Sequence, residues 1–549
     1  MTGVPTLPGA VPAPRAAGTA TGGRPELIHR AVEQHAARTP GAVALVDGDR
    51  RVGYAELDAA ADAWAAKLRD RGAGPGTFVP VVLERSATLV AALLGVLKTG
   101  AAYAALDPAW PAGRLRSVAA MLTPRVAVAP AGENGLHARV VCSPDGRGLL
   151  PRRGAARPAS GAERTGGGAG DPVDGAAPAT VFFTSGTTGR PKAVVSGHRA
   201  TLSLLGDRFA PFTAGDAGRP VMPQAAPVSW DGFTLEAWGP LVNGGTSVLL
   251  GGGFLLPGTL RGLVEREGVD TVWLTASLFH LFTDEDPGCF GGLRHVLTGG
   301  ERLSVPRVRA FLDRHPDTVL TNGYGPVETC VFATARRVRR ADCDVPTGIP
   351  VGEPVPGRRV HVLADGEEAP AGVTGEICVS GDGIALGYLG DPEATARAFP
   401  AVALDGVRTR VYRTGDLGFR DADGVLHFTG RADRQVKLRG HRVEPEEVEA
   451  VARTLPPVAD CAAVPVPGAN GGFERLALFC TAAPSEAPPS GPALRRELAA
   501  RLPRHLVPDV VRVLPRLPLT ANGKLDRAAL LDALRPDGGS GARTGEAGA

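Results

Sequence analysis

The 549-residue chain has little lysine: of its 60 basic residues all are arginine except Lys67, Lys98, Lys192, Lys437 and Lys524. Arginine is a rigid fork and lysine a compact point charge on a thin stem, so a lysine kept in such a chain marks a place where a guanidinium does not fit. Lys192, Lys437 and Lys524 are the ones to examine as site residues. Other features are missing too. The longest apolar run, Leu89 to Leu97, ends at Lys98, well short of the roughly 20 residues that cross a bilayer. A formal net charge of +3 leaves no basic footprint for nucleic acid. Neither a membrane nor a nucleic acid is therefore an expected partner. Met1 is followed by Thr-Gly-Val-Pro, without a basic or apolar leader, and the cysteines at 142, 289, 330, 343, 378, 461 and 480 form no CxxC pair. These features predict a cytoplasmic, reduced protein with no cysteine-held metal. No period of 20 to 50 residues is visible, which excludes solenoids and propellers.

Three stretches rich in Pro, Ala and Gly carry almost no apolar periodicity. They predict a disordered arm over 1–25, a surface linker from about 152 to 178 and a disordered tail over 536–549. Between them helical patterns alternate with short apolar runs. Leu57, Ala61, Trp64 and Leu68 share one helix face before Gly72, and Phe78 to Leu83 then reads as a strand. The same alternation runs to Thr321 and predicts an α/β fold with parallel or mixed sheets flanked by helices, its site loops at strand C-terminal ends. Near Gly430 the texture changes. A charged, Gly-flanked run precedes Glu444-Pro445-Glu446-Glu447, which has Pro and acids where a helix begins. The expected organisation is a large domain over 26–432 and a small, mobile α+β domain over 433–535.

Thr184-Ser185-Gly186-Thr187-Thr188-Gly189-Arg190-Pro191-Lys192 follows an apolar strand and joins four hydroxyls to two glycines and a rare lysine. Glycines admit phosphate oxygens to backbone N–H groups, hydroxyls donate, and the ammonium offsets charge. The spacing is not that of a Walker loop, which places four residues between its first Gly and its Gly-Lys. The string resembles the phosphate loop of the adenylate-forming superfamily. Further segments follow in the order of the adenylation domains of nonribosomal peptide synthetases: Val52 to Leu57, Leu97 to Tyr103, Asn322 to Glu328, Gly375 to Ile377, Tyr412 to Asp416 and Asn522 to Asp526. The resemblance covers about residues 27 to 535. Ala193 and His441 depart from it, standing where Gly and Tyr are usual.

The resemblance implies ATP and Mg²⁺ as cofactors. Thr184, Ser185, Gly186, Thr187, Thr188, Gly189 and Lys192 would hold the phosphates. Gly323 and Tyr324 would lie at the adenine, Asp416 and Arg431 at the ribose, and Glu328 on the metal, which takes one or two carboxylates beside phosphate oxygens. Lys524 would bridge substrate carboxylate and α-phosphate. Asp433 would be a hinge that exchanges Lys524 for Lys437 in the second half-reaction, although taken alone it reads equally as a structural linker.

Ser229-Trp230-Asp231-Gly232-Phe233 resembles the place where amino-acid-activating domains hold the α-ammonium, with Asp231 as the carboxylate. Motif matching puts Gly232, Leu235, Trp273, Leu297, Gly299, Gly323, Val331 and Phe332 around the side-chain pocket. None is charged, so an aliphatic side chain is expected, and the lining resembles that of valine-activating domains. The glycines are expected to widen the pocket, and Trp273 and Phe332 to shorten it. Only 25 residues follow Lys524 and no carrier motif occurs. The expectation is a free-standing enzyme that loads a phosphopantetheinylated carrier protein in trans, with a small activating partner protein as a further candidate. An excised domain, an acyl- or aryl-CoA ligase and a catalytically silent binding protein are the alternatives.

Overall fold

The computed structural model describes residues 25–131, 135–144, 173–184, 191–206, 209–212, 218–432, 435–468, 472–483, 489–518 and 525–534. The described residues group into a large unit, 25–184 with 192–432, and a small unit from 435 onward. The arm before 25 and the tail after 535 lie outside them. The linker expected over 152–178 ends earlier: the Ala177 N–H donates to the Asp174 carbonyl at 3.1 Å, and the strand Pro178–Thr184 has begun. Gly175 accounts for the difference. A Cβ there would lie 3.1 to 3.2 Å from Glu26, so this glycine serves close packing.

The large unit contains four sheets. In the seven-stranded one, Phe78–Val81, Ala102–Ala105 and Val126–Val128 are parallel and buried along their whole length. Burial on both faces is why they read as short continuous apolar runs. Tyr54–Arg69 and Ala87–Lys98 pack together through Trp64, which leaves no room for a Cβ at Gly95: the two Cβ atoms would be 2.4 Å apart. A four-stranded sheet orders Arg50–Gly53, Val43–Asp47, Thr246–Leu249 and Val221–Gln224. A five-stranded sheet begins with the parallel strands Thr271–Thr275, His295–Gly299 and Val319–Tyr324, then turns antiparallel at Thr334–Arg337.

The fourth sheet is antiparallel, with Arg359–Ala364, Gly375–Ser380, Val407–Arg420 and Leu426–Arg431 as its longer strands. It departs from the βα alternation, since only Pro392–Ala398 interrupts it as a helix. Its burial differs from strand to strand, Gly375–Ser380 being almost wholly buried and Val407–Arg420 half-exposed, and a mixed α/β unit accommodates it.

The small unit is α+β. Phe473–Ala482 pairs antiparallel with Val458–Pro467 and parallel with Val510–Leu514, with the helices Pro445–Arg453, Gly491–Ala499 and Arg527–Asp532 alongside. Pro445 sits in the first turn with Glu446 and Glu447, as the sequence anticipates. All seven cysteines are free and buried. Among the described residues no helix is long and apolar enough to cross a membrane.

Lys98 explains one retained lysine. Its side chain is 6% exposed, and the ammonium meets Glu33 at 3.1 Å, Asp58 at 2.6 Å and Asp62 at 2.5 Å. A single compact charge serves three carboxylates at once from the end of a thin stem. Lys98→Met should lower stability by about 3 kcal/mol, because it strands carboxylates that are partly buried. Urea unfolding checks this as a lower midpoint with an unchanged slope.

Candidate active site

The parallel strands Thr271–Thr275, His295–Gly299 and Val319–Tyr324 pair so that Trp273 lies beside Leu297 and Gly299 beside Gly323. Their C-terminal ends therefore deliver four of the residues expected at the side-chain pocket. A Cβ on Gly299 would stand 2.0 Å from the Gly323 carbonyl oxygen, and one on Gly323 would stand 2.4 Å from the Phe332 ring. A Cβ on Gly232 would meet the Trp230 ring at 2.8 Å and Trp273 Nε1 at 3.2 Å. This corrects the expectation that the glycines widen the pocket. Their empty positions are taken by ring faces and by a neighbouring strand. Trp273 meets Phe332 edge-on, ring centres 5.3 Å apart, and Trp230 at 6.2 Å. Leu235, Leu297 and Val331 complete the same apolar cluster. Trp273 Nε1 is buried without a hydrogen-bond partner among the described residues.

Asp231 opens the helix Gly232–Val242, where an aspartate ordinarily caps its own helix. It makes no cap hydrogen bond. The buried carboxylate turns instead to Val331, whose N–H donates to Oδ2 at 3.2 Å. Val331 and its neighbour Cys330 have φ of 70° and 54°. Left-handed backbone at two successive non-glycine residues, one of them β-branched, costs on the order of 1 to 3 kcal/mol each. Strain of this size persists only where the surroundings enforce it.

A second group of expected residues lies in the same unit. Thr184 and Lys192 are paired across the antiparallel strands Pro178–Thr184 and Lys192–Gly197. Ser185, Gly186, Thr187, Thr188 and Gly189 lie outside the described residues. Thr184 Oγ1 is buried without a partner among the described residues. The Lys192 ammonium stands 5.2 Å from the ring centre of Tyr388, whose hydroxyl donates to Glu328 Oε1 at 2.8 Å. Glu328 is wholly buried. Asp416 and Arg431 face each other across an antiparallel pair, and the guanidinium donates to Asp416 Oδ1. Asp416 Oδ2 accepts from the Tyr324 hydroxyl at 2.6 Å. Burial, and then the adjacent carboxylate, hold that phenol well above its ordinary pKa.

In the small unit Lys437 lies on the strand Val436–Leu438, opposite Arg442 of His441–Val443. The two-residue turn between these strands, Arg439 and Gly440, has φ of 51° and 81°, the sense that follows strand twist in a tight hairpin. Asp433 and Lys524 lie outside the described residues.

Tyr388 and Glu236 were not singled out from the sequence. Tyr388 offers no local signal, since its partners are distant in the chain. Glu236 does, being an acid within the apolar helix that Asp231 begins. It is wholly buried; Oε2 accepts the Ala225 and Ala226 N–H groups, each at 2.7 Å, and Oε1 has no partner among the described residues. It thereby fastens the segment leading to Asp231.

The chain matches the AMP-binding enzyme family over residues 32–389 and the AMP-binding enzyme C-terminal domain over 447–524. It is 38% identical to a probable non-canonical nonribosomal peptide synthetase, CymA, of Salinispora arenicola, over 91% of this chain and 6% of that protein. It is 36% identical to a dimodular nonribosomal peptide synthase of Bacillus subtilis, over 91% of this chain and 20% of that protein. The chain thus spans a small part of these curated relatives. Among solved structures it is similar to holo-PA1221, a nonribosomal peptide synthetase protein with adenylation and PCP domains, at 35% identity and a TM-score of 0.79, covering 93% of this chain and 85% of that one.

Burial raises the Glu236 pKa to about 8 from 4.5, against the lowering pull of the two N–H groups and of Arg85. Between those values the folded state holds a proton that the unfolded state has released, so this group's contribution to stability falls as pH rises from about 4.5 to 8. Glu236→Gln should flatten that descent. Thermal unfolding midpoints at pH 5.5 and 8.5 test this, the difference between the two being smaller in the variant.

Proposed function

The chain belongs to the AMP-binding enzyme family, as an adenylating ligase of the nonribosomal peptide synthetase type, and from that premise we propose that it activates a small aliphatic α-amino acid. Valine or a close analogue would form the aminoacyl adenylate with ATP, releasing pyrophosphate, and the aminoacyl group would pass to the phosphopantetheine thiol of a carrier protein in trans, releasing AMP. The observation that carries the reading is Asp231. A buried carboxylate that declines to cap its own helix and faces an apolar lining is suited to an α-ammonium group. An uncharged lining whose glycine positions are already filled by Trp230, Trp273 and Phe332 supports a small side chain.

On the nucleotide side the residues suit a triphosphate. The Thr184 hydroxyl, without a partner among the described residues, has a proton to donate, and Lys192 a charge that offsets phosphate. The enclosed Glu328 carboxylate, oriented by Tyr388, is the oxygen donor that Mg²⁺ prefers, and the ion would offset phosphate charge. Asp416, set by Arg431 and Tyr324, presents acceptor oxygens suited to the ribose hydroxyls. Lys524 would neutralise charge between carboxylate and α-phosphate in the first half-reaction, and Lys437 would act in the second after rotation at Asp433.

Amino-acid-dependent ATP–pyrophosphate exchange with valine, isoleucine, 2-aminobutyrate, threonine and phenylalanine tests the substrate, with preference for phenylalanine or threonine overturning it. Thioester formed on free CoA without carrier would instead mark a CoA ligase. Asp231→Ala should weaken activation of the preferred amino acid by about 3 to 5 kcal/mol. The matching acid without its amino group should lose far less, and equal losses would remove the ammonium role.

The two lysines should separate the half-reactions. Lys524→Ala is expected to reduce exchange by about 10² to 10³ while still transferring supplied adenylate to carrier protein. Lys437→Ala should spare exchange and slow loading. Parallel failure of both variants in both assays would overturn domain alternation.

A further inference from the structure

Arg358 lies outside every motif that the chain shares with adenylation domains, yet its side chain is enclosed next to the strained segment of the pocket. It is 5% exposed. Nη2 donates to the carbonyl oxygens of Thr329 at 3.0 Å, Ala200 at 3.1 Å and Cys330 at 3.2 Å. Nη1 donates to Ser203 Oγ at 2.6 Å and to the Pro356 carbonyl at 2.9 Å. Each of these acceptors is neutral, and burial lowers the guanidinium pKa to about 10, with the Cys330 thiol and Asp382 offsetting part of that. A buried cation without an ion-pair partner is costly, and a surface salt bridge could have been had more cheaply elsewhere. The fold makes room for it. A Cβ on Gly383 would strike Arg358 Nε at 2.1 Å, and one on Gly357 would strike Ser203 Cβ at 2.5 Å.

One contact gives the arrangement its direction. The Cys330 carbonyl and the Val331 N–H belong to a single peptide unit, and in a trans peptide these groups point in opposite directions. Arg358 donates to the carbonyl end at 3.2 Å, beside the Phe332 N–H at 3.0 Å, while the N–H end donates to Asp231 Oδ2 at 3.2 Å. With φ of 54° and 70° on either side, the unit is turned into an orientation that this backbone does not favour by itself. We propose that Arg358 is a positioning residue for substrate recognition: it holds the 330–331 peptide so that the Val331 N–H fixes the Asp231 carboxylate. It touches no substrate. The inference rests on the amino-acid-activating reading only for its effect on turnover; its effect on the peptide stands apart.

Arg358→Lys keeps the charge and removes the fork. Gly383→Ala leaves the arginine in place and displaces it from outside, on backbone that tolerates alanine. In both, KM for the amino acid that the unaltered enzyme activates best should rise about ten- to a hundredfold. KM for ATP and turnover of the corresponding acid without an amino group should stay within about twofold. Crystal structures of both variants should show the 330–331 peptide rotated and the Val331 N–H beyond hydrogen-bonding distance of Asp231. A lower melting temperature with that hydrogen bond intact, and with equal losses on both substrates, would make Arg358 a fold-stabilising residue only and overturn the proposal. If the unaltered enzyme does not distinguish the amino acid from its deaminated counterpart, the role given to Asp231 fails. The crystal structures still decide whether Arg358 holds the peptide.

Discussion

The register of three parallel strands is the constraint on which the apolar cluster around Trp273 depends. Thr271–Thr275, His295–Gly299 and Val319–Tyr324 pair residue for residue, so the ends of all three arrive at the same level. Side chains alternate along a strand, and a slip of one position would exchange the face that Trp273 and Leu297 present for the opposite one. The pairing also admits no substitute for glycine where Gly299 approaches the Gly323 carbonyl at 2.0 Å from a notional Cβ. Tyr324 ends the third strand, and its hydroxyl carries the arrangement to Asp416, 92 residues further along the chain.

Charge is handled differently in different parts of the molecule. Around Lys98 a point charge gathers acids from two neighbouring helices, stabilising the fold without facing the pocket. At Asp416 an arginine and a tyrosine each take one carboxylate oxygen, which fixes the plane of the group. Glu236 has no cation in direct contact among the described residues and is stabilised by two backbone N–H groups. Its raised pKa is the cost of burying a carboxylate with so little compensation.

Much of this was legible in the amino acids because it is local. The helix Tyr54–Arg69 follows from the spacing of Leu57, Ala61, Trp64 and Leu68, and the strand Phe78–Val81 from a short apolar run. Thr184 and Lys192, whose pairing the strands show, flank a string with the composition expected of a phosphate-holding loop. Asp231 stood out as an acid beside aromatic and glycine residues. The antiparallel sheet from Arg359 to Arg431 was harder to see, since its strands mix buried and exposed residues without a regular period and only one helix falls among them. Arg358 and Tyr388 were not legible at all. Arg358 binds Ala200 across 158 residues and Tyr388 binds Glu328 across 60, and neither neighbourhood in sequence hints at its partner. The roles of the pocket glycines were misread for the same reason, because only the folded chain reveals what fills the space beside them.

That last point bears on how such a pocket changes over evolution or by design. Gly232 answers to Trp230 and Trp273, and Gly323 to Phe332. Replacing a single glycine by a larger residue would evict a ring that borders other members of the cluster. Substitutions at such neighbours are strongly non-additive. The cluster is therefore a set of interlocked pairs rather than a row of independent letters, and a glycine in it has to be changed together with the ring it faces.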